Sequence, residues 1–162
     1  MLADAPAPDK STAKFEVDFM MDMIDHHAMA VMMAEMCVEQ AIHEDLRSMC
    51  EEIIGTQSQE IALMQSWLQD WYGVSHEPAM KMDGMHRLMK LDGEEFEIAF
   101  MEMMIRHHRG AIREGEKCLD NAYYQELLNL CAGIIVTQRA EIEQMETWLC
   151  EWYAVCKERK EA

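Results

Sequence analysis

The chain repeats itself without a gap, and this repeat constrains its fold more than any other feature. Residues 19–72 align with residues 100–153, a shift of 81 positions from Phe19 to Phe100. The histidine pairs, two cysteines and a closing Trp-Leu-x-x-Trp-Tyr of each unit fall at matched positions. A match of this density predicts a duplicated structural unit, with residues 73–93 as the linker.

Each unit has the pattern of a helical hairpin. Apolar residues recur at helical spacing through 16–41 and 44–72, and again through 94–121 and 124–156. Eighteen Met against three Pro and seven Gly also favour helix. Asp92, three residues before Glu95, predicts a capping box at the third helix. Four such helices predict an all-α four-helix bundle, and the linker is long enough either to cross it or to fold back.

The length and charge of the chain limit its organisation and partners. With 162 residues we expect one bundle over 15–156, a flexible tail at 1–14 and a C-terminal tail at 157–162. The first residues do not resemble a signal peptide, and we expect such a signal to have been removed. The net charge of −17 argues against nucleic acid and anionic membranes and favours cations. No apolar run approaches the roughly 20 residues of a membrane span, so no membrane insertion is expected.

The mirror symmetry of an antiparallel hairpin brings chemically related residues to the same height. In the first unit, His27 lies opposite Glu60, Met23 opposite Met64 and Cys37 opposite Cys50. The second unit repeats these pairs as His108 with Glu141, Met104 with Met145 and Cys118 with Cys131. Helical phase agrees, so each hairpin is predicted to turn a Met/His group toward a Glu/Met group inside the bundle.

The pattern F…M-I-x-H-H-x-x-A…E, followed by I-I-x-T-Q-x-x-E-I-x-x-M-x-x-W-L, resembles the domain of unknown function 305 family over both repeats. The resemblance implies a ferritin-like four-helix bundle, and some members are extracytoplasmic copper-binding proteins rich in Met and His. By motif it implies the following metal ligands: Met23, His26, His27 and Met33, then Met104, His107 and His108. Glu114 stands where the first unit has Met33, so the second site is expected to be weaker or differently built.

Thioether and imidazole ligands select soft ions, above all Cu(I), with Ag(I) as its mimic. Binding through His is expected to weaken below roughly pH 6, where the ring takes up a proton. Because a carboxylate is a hard ligand, Glu60 and Glu141 are expected to accept hydrogen bonds from His instead of binding the metal. Gln57 and Gln138 are expected to be hydrogen-bond partners within the bundle.

Two further groups of methionines leave alternatives open. A second stripe on the first helix contains Met21, Asp25, Met29, Met32 and Met36. It either binds additional soft metal, which we favour, or forms a homodimer interface. The linker group contains Met80, Met82, Met85 and His86. It either captures copper for transfer to a partner protein or covers the bundle as a short amphipathic turn.

Six cysteines bear on the compartment. The mirrored pairs Cys37–Cys50 and Cys118–Cys131 favour interhelical disulfides, which imply an oxidising compartment. The alternative is that they are reduced thiols that add to the soft-metal sites. Cys150 and Cys156 fit one straight helix poorly as a disulfide, so their pairing stays open.

Three functions remain. The favoured one is a periplasmic or otherwise extracytoplasmic protein that sequesters or carries Cu(I), and also Ag(I), in copper homeostasis or resistance. The second is a ferritin-like di-metal oxidase or peroxidase, which needs Glu-x-x-His motifs. Met23 and Met104 stand at the Glu positions of that motif, so no enzyme activity is expected. The third is a metal-free structural bundle.

Overall fold

The computed structural model describes residues 6–79 and 84–157, and this part of the chain is all-α. Its helices are α1 (Lys10–Gln40), α2 (Glu44–Tyr72), α3 (Met85–Met89), α4 (Gly93–Asn121) and α5 (Gln125–Tyr153). The four long helices confirm the predicted bundle of two hairpins. Within the described residues, none of the helices has the length and apolarity needed to cross a membrane.

Two helix boundaries and one helix cap differ from the predicted ones. α1 begins at Lys10, inside the predicted flexible tail, where Ser11 and Thr12 donate hydrogen bonds to the Asp9 carboxylate. α5 ends at Tyr153, three residues early, because Ala154 adopts a left-handed conformation. Asp92 is the N-cap of α4, but its side chain makes no capping hydrogen bond, so the predicted capping box does not form.

The long linker crosses the bundle. α1 packs on α2, α4 packs on α5, and α1 and α4 meet between the hairpins. Glu16, near the start of α1, lies at the α4–α5 turn, while Glu97, near the start of α4, lies at the α1–α2 turn. α1 and α4 are therefore antiparallel. α2 and α4 run in the same direction, and the chain must return along the bundle between them, as in ferritin-like folds with one long crossover.

A buried carboxylate ties each hairpin to the turn of the other. Glu97 accepts hydrogen bonds from the backbone N–H groups of Ile42 and His43 (2.7 and 2.9 Å), the His43 ring (2.6 Å) and the Tyr153 hydroxyl (2.6 Å). Burial alone would raise the pKa of Glu97, but these donors outweigh it and hold the pKa below its ordinary value.

The second copy of this contact lies at the opposite end. Glu16 accepts from the backbone N–H groups of Tyr123 and Tyr124 (2.6 and 3.0 Å) and from the Tyr72 hydroxyl. Glu16 and Glu97 are equivalent in the repeat, as are Tyr72 and Tyr153. We call Glu16 and Glu97 the end carboxylates.

Aromatic stacks close both ends beside the end carboxylates. Trp71 stacks on Trp67 and on Tyr124, with ring centroids 5.1 and 3.9 Å apart. At the other end Trp152 stacks on Trp148 and on His43, at 4.9 and 3.7 Å. The four tryptophans therefore cover the ends of the apolar core.

The linker contributes to the core through α3. Met85 and Leu88 are buried, whereas His86 and Met89 are exposed. For Met85, the structure therefore agrees with the second of the two predicted roles, an amphipathic turn that covers the bundle. Met80 and Met82 lie outside the described residues.

All six cysteines are paired. Cys37–Cys50 and Cys118–Cys131 join the two helices of each hairpin, as predicted. The third disulfide, Cys150–Cys156, was not predicted, because a bridge over six residues does not fit a straight helix. The early end of α5 at Tyr153 allows the chain to turn back and bring Cys156 to Cys150.

Candidate metal centre

Two histidines from different repeats stack at the middle of the bundle. The His26 ring on α1 lies against the His107 ring on α4, with centroids 3.6 Å apart and planes inclined by 18°. The rings can approach because Gly110 has no side chain: a Cβ there would lie 3.2 Å from His26 Nε2. The repeat therefore brings its two equivalent histidines together.

The second histidine of each pair faces its own hairpin. His27 Nε2 lies 2.7 Å from Glu60 Oε1 on α2, and His108 Nε2 lies 2.6 Å from Glu141 Oε1 on α5. Both rings are completely buried. If each Nε2–H donates to its carboxylate, each Nδ1 keeps a free lone pair. The predicted pairing of His with Glu is present in both hairpins.

Each of these four histidines has a buried ring nitrogen without a hydrogen-bond partner among the described residues. The atoms are Nδ1 of His26, His27 and His108, and Nε2 of His107. We call the four residues the histidine layer. Buried polar atoms are nearly always partnered in folded proteins, so four unpartnered nitrogens in one layer are typical of a site that takes a ligand.

The two stacked rings of the layer, His26 and His107, favour the neutral form of imidazole. Burial, His27, His108 and Arg113 lower the pKa of His26 to about 4. Burial and the neighbouring His26, His108 and His27 lower the pKa of His107 to about 2. At neutral pH both rings therefore carry a nitrogen lone pair, which is the form that binds metal.

Buried methionines lie on either side of the layer. The apolar core consists of two clusters: one contains Met23 and Met64, and the other contains Met33, Met104 and Met145. All five side chains are at most 2% exposed. The mirror prediction that Met23 meets Met64 and Met104 meets Met145 agrees with these clusters, although the thioethers also serve as ordinary core side chains.

The departure of the second repeat at Glu114 changes burial as well as chemistry. Met33 is buried in the same cluster as Met85 and Leu88 of α3. Glu114 is exposed and pairs with Lys117 at 3.2 Å. Position 114 therefore cannot supply the inward ligand that position 33 offers.

The outward stripe of α1 is less exposed than the sequence suggests. Its four methionines are all half-buried against the core clusters: Met21, Met29, Met32 and Met36. One of them, Met29, lines a surface cavity of about 270 Å³ together with Asp22, Asp25, His26 and Ala79. We call this the acidic cavity. It connects solvent with the histidine layer, and the structure brings Met29 and His26 together there.

The segment after α2 is hydrogen-bonded to the edge of the acidic cavity. Asp25 accepts hydrogen bonds from His76 Nε2 and from the Ala79 backbone N–H, both at 2.8 Å. The pKa of Asp22 is raised, first by burial and then by the neighbouring carboxylates of Asp18, Asp25 and Glu114, while His76 lowers it. Carboxylates gathered at one cavity attract cations.

Two features of the structure differ from the sequence predictions or were absent from them. Gln57 and Gln138 were expected to be hydrogen-bonded within the bundle, but neither Oε1 has a partner in the described structure. The end carboxylates were not predicted. Extending the repeat three residues upstream from Phe19 would have matched Glu16 with Glu97.

Among the described residues, no three or more His, Cys, Asp or Glu side chains are arranged to hold a metal by themselves.

The fold and the histidine layer define a helical-bundle protein of duplicated hairpins with imidazole and thioether groups in its core. The model of the domain of unknown function DUF305 matches residues 16–149. The chain belongs to the DUF305 family. No curated protein matches the sequence.

Several solved structures are similar. CopM in the Cu(I)-bound form is 33% identical, with a TM-score of 0.77, over 85% of this chain and 97% of that one. CopM has also been solved in Ag-bound, Cu(II)-bound and apo forms. A DUF305 fragment from Deinococcus radiodurans is 30% identical, with a TM-score of 0.74, over 90% of this chain and 97% of that one.

A further DUF305 structure, from Streptomyces coelicolor, is described as a candidate secreted protein. It is 26% identical, with a TM-score of 0.77, over 96% of this chain and all of that one. The likeness to CopM suggests a metal-binding role for this family member.

Proposed function

We propose that the protein binds Cu(I), and Ag(I) as its mimic, and sequesters or carries it outside the cytoplasm. The observation that carries the proposal is the histidine layer, with its four buried, unpartnered ring nitrogens. Neutral imidazoles beside thioethers form a soft donor set that favours these monovalent ions over hard ones. The CopM structures support this choice of metal, since CopM has been solved with copper and with silver.

The ligands divide between the two repeats. The first would use His26 and His27 with Met23 and Met64. Met33, which lies in the other core cluster, would add a thioether from the inward face of α1. The second would use His107, His108, Met104 and Met145. Glu60 and Glu141 would hold the tautomer of His27 and His108 by accepting from Nε2, so that Nδ1 is free to bind.

The acidic cavity would supply access to the layer. Its lining combines two carboxylates, the thioether of Met29 and the His26 ring, in a chain of net charge −17. The negative potential would raise the local concentration of cations, and Met29 would hand a soft ion to His26. Exchange would therefore take place on the α1 side of the bundle.

We propose binding without catalysis because the Glu positions of the Glu-x-x-His motif, which di-metal enzymes of this fold use, are occupied by methionine. A di-metal oxidase of this fold uses Glu-x-x-His on two helices. Here Met23 and Met104 precede His26 and His107 by three residues, and thioethers are poor ligands for iron. The three disulfides support an oxidising, extracytoplasmic location.

The experiment is an anaerobic titration of the metal-free protein with Cu(I), Ag(I), Zn(II) and Fe(II), followed by elemental analysis. We expect Cu(I) and Ag(I) to be retained, at one or more ions per hairpin, far more tightly than Fe(II). Retention of two irons with little copper would instead support the di-metal enzyme.

Paired variants locate the ligands. His26→Ala with His27→Ala should remove the first-hairpin site, and His107→Ala with His108→Ala should remove the second. Far-UV circular dichroism checks that each variant still folds. If neither double variant changes the Ag(I) stoichiometry, the histidines are core residues and the proposed ligand set is wrong.

A further inference from the structure

A second polar site lies between α2 and α5. It is a cavity of about 10 Å³, the space of one water-sized sphere. The two helices line it with equivalent residues of the repeat: Ile53, Thr56, Gln57 and Glu60 from α2, and Ile134, Thr137, Gln138 and Glu141 from α5. The cavity therefore lies on the symmetry axis that relates the two hairpins. We call it the oxygen-lined cavity.

Two buried amide oxygens in this cavity have no partner. Gln57 and Gln138 are each 3% exposed, and the Oε1 atom of neither has a hydrogen-bond partner among the described residues. A buried polar atom that is left unpaired destabilises the fold, so packing alone would favour an apolar side chain at both positions. Equivalent unpaired oxygens that line one cavity indicate a ligand for both.

Two carboxylates line the same cavity. The Glu60 and Glu141 side chains are only 15% and 13% exposed. Each uses Oε1 to accept from a histidine, at 2.7 and 2.6 Å, which leaves Oε2 for another contact. Two buried like charges beside one small cavity repel each other, and a cation between them would remove that repulsion.

We propose that the oxygen-lined cavity binds one hard divalent cation of the Ca²⁺ or Mn²⁺ class. The available donors are two carboxylates, two amide carbonyls and the hydroxyls of Thr56 and Thr137, all oxygen. An oxygen set of this size suits Ca²⁺ or Mn²⁺, whereas Cu(I) and Ag(I) prefer sulfur and nitrogen. Mg²⁺ fits less well because it keeps several waters, for which the cavity has no room.

This site goes beyond the proposed soft-metal function and does not depend on it. The two sites share only the hydrogen bonds from His27 to Glu60 and from His108 to Glu141. Thr56 and Thr137 are exposed, so a cation can reach the cavity from the surface between α2 and α5 without passing the histidine layer.

The test uses Mn²⁺ and the copper-free protein at about 0.15 M salt, where weak surface association is screened. Electron paramagnetic resonance measures free Mn²⁺. We expect the free signal to fall by one Mn²⁺ per chain, and Ca²⁺ to restore it by competition. Gln57→Leu with Gln138→Leu should weaken binding at least about tenfold, because it removes both amide oxygens.

A matched control separates this site from general attraction to an acidic chain. Glu51→Gln with Glu143→Gln removes two exposed charges and should leave Mn²⁺ binding intact. If the Gln→Leu variant binds Mn²⁺ as well as the wild type, the ion is on the surface and the proposal is wrong. It is also wrong if the wild-type protein leaves Mn²⁺ free.

Thermal unfolding gives a second measurement. In EDTA the Gln→Leu variant should melt at or above the wild-type temperature, since it loses two unpaired polar atoms. Ca²⁺ should raise the melting temperature of the wild type and not that of the variant. An Ag(I) titration of the same variant distinguishes the two proposals. If the Ag(I) stoichiometry is unchanged, the soft-metal proposal stands, whether or not the variant has lost Mn²⁺ binding.

Discussion

The two repeats share an inward face and differ on the outward one. Towards the core, His27 and His108 make the same contact with the equivalent glutamates Glu60 and Glu141, and His26 stacks on its own equivalent, His107. On the outward side, α1 carries half-buried methionines at 21, 29, 32 and 36, whereas α4 carries Glu102, Gly110, Arg113 and Lys117 at the same positions. The two repeats therefore agree on the inward face and differ in both residue type and packing on the outward face.

The segments that follow the hairpins differ in the same way. In the first repeat, Asp25 binds His76 and the chain after α2 borders the acidic cavity. In the second, the equivalent residues Arg106 and Lys157 line a cavity of about 300 Å³ together with Arg109, Glu102 and Glu146. This mixed lining is less favourable to a cation than the carboxylates of the acidic cavity.

The largest expected effect concerns the end carboxylates. Glu97→Ala should lower the free energy of unfolding by about 3–5 kcal/mol, because it breaks a buried charged network. Glu16→Ala should cost less, since Glu97 has the additional His43 ring as a donor. Urea unfolding followed by circular dichroism measures both, with exposed Glu95→Ala as the control. Equal losses in the two variants would show that the hydrogen bond from the His43 ring does not contribute to the free energy of unfolding.

The disulfides test whether the repeats are equally stabilised. Removing Cys37–Cys50 or Cys118–Cys131 by Ala pairs should cost about 3 kcal/mol each, and removing Cys150–Cys156 somewhat less, about 2.4 kcal/mol for its shorter loop. Thermal unfolding under non-reducing conditions compares the three variants. A clear difference between the first two would mean that one hairpin is strained. Alkylation before reduction should leave all six cysteines unmodified.

The two stacked histidines should titrate separately. Their pKa values are depressed, so in acid the unfolded chain takes up protons first and stability is lost as the pH falls. For the metal-free protein we expect a loss of roughly 3 kcal/mol from His26 between pH 6.5 and about 4. His107 adds its own loss over the same range and continues it toward about pH 2, and the lowered pKa of Glu97 adds to it below its ordinary value of 4.5.

Urea unfolding at a series of pH values, with imidazole proton shifts from NMR, measures this loss. His26 should begin to titrate before His107. Titration of both rings near pH 6.5 would show that the layer is open to water.

The smallest effect on stability should come from the outward stripe of α1. Replacing Met21, Met29, Met32 and Met36 with Leu keeps apolarity and volume, so each change should cost less than about 1.5 kcal/mol. If the stripe binds soft metal, Ag(I) stoichiometry falls while the oligomer size stays constant. Met20→Leu with Met101→Leu, both buried, is the control. Unchanged stoichiometry, together with a dimer that Met→Glu changes disrupt, would make the stripe an interface.

Much of the site could be predicted because each pattern of His, Glu and Cys occurs twice, at matched positions of the two repeats. The spacing of His27, Glu60 and the mirrored cysteines depends only on helical geometry and a short turn, both of which are local. The start of α1 at Lys10 and the end of α5 at Tyr153 were missed because helix ends depend on weak local balances. The pairing of Cys150 with Cys156 was left open for the same reason, because it depends on where α5 ends.

The sequence by itself determined the duplicated hairpins and the pairing of His with Glu, favoured two disulfides, and supplied the imidazole and thioether side chains of the core, since all of these follow from residue type and helical period. Only the tertiary structure decided that α1 and α4 run antiparallel. That choice stacks His26 on His107 and places Glu16 and Glu97 on the turns of opposite hairpins. It also aligns Gln57 with Gln138 across one cavity. Contacts between residues about 80 positions apart depend on how the two hairpins pack against each other, and the linker is long enough to permit either arrangement.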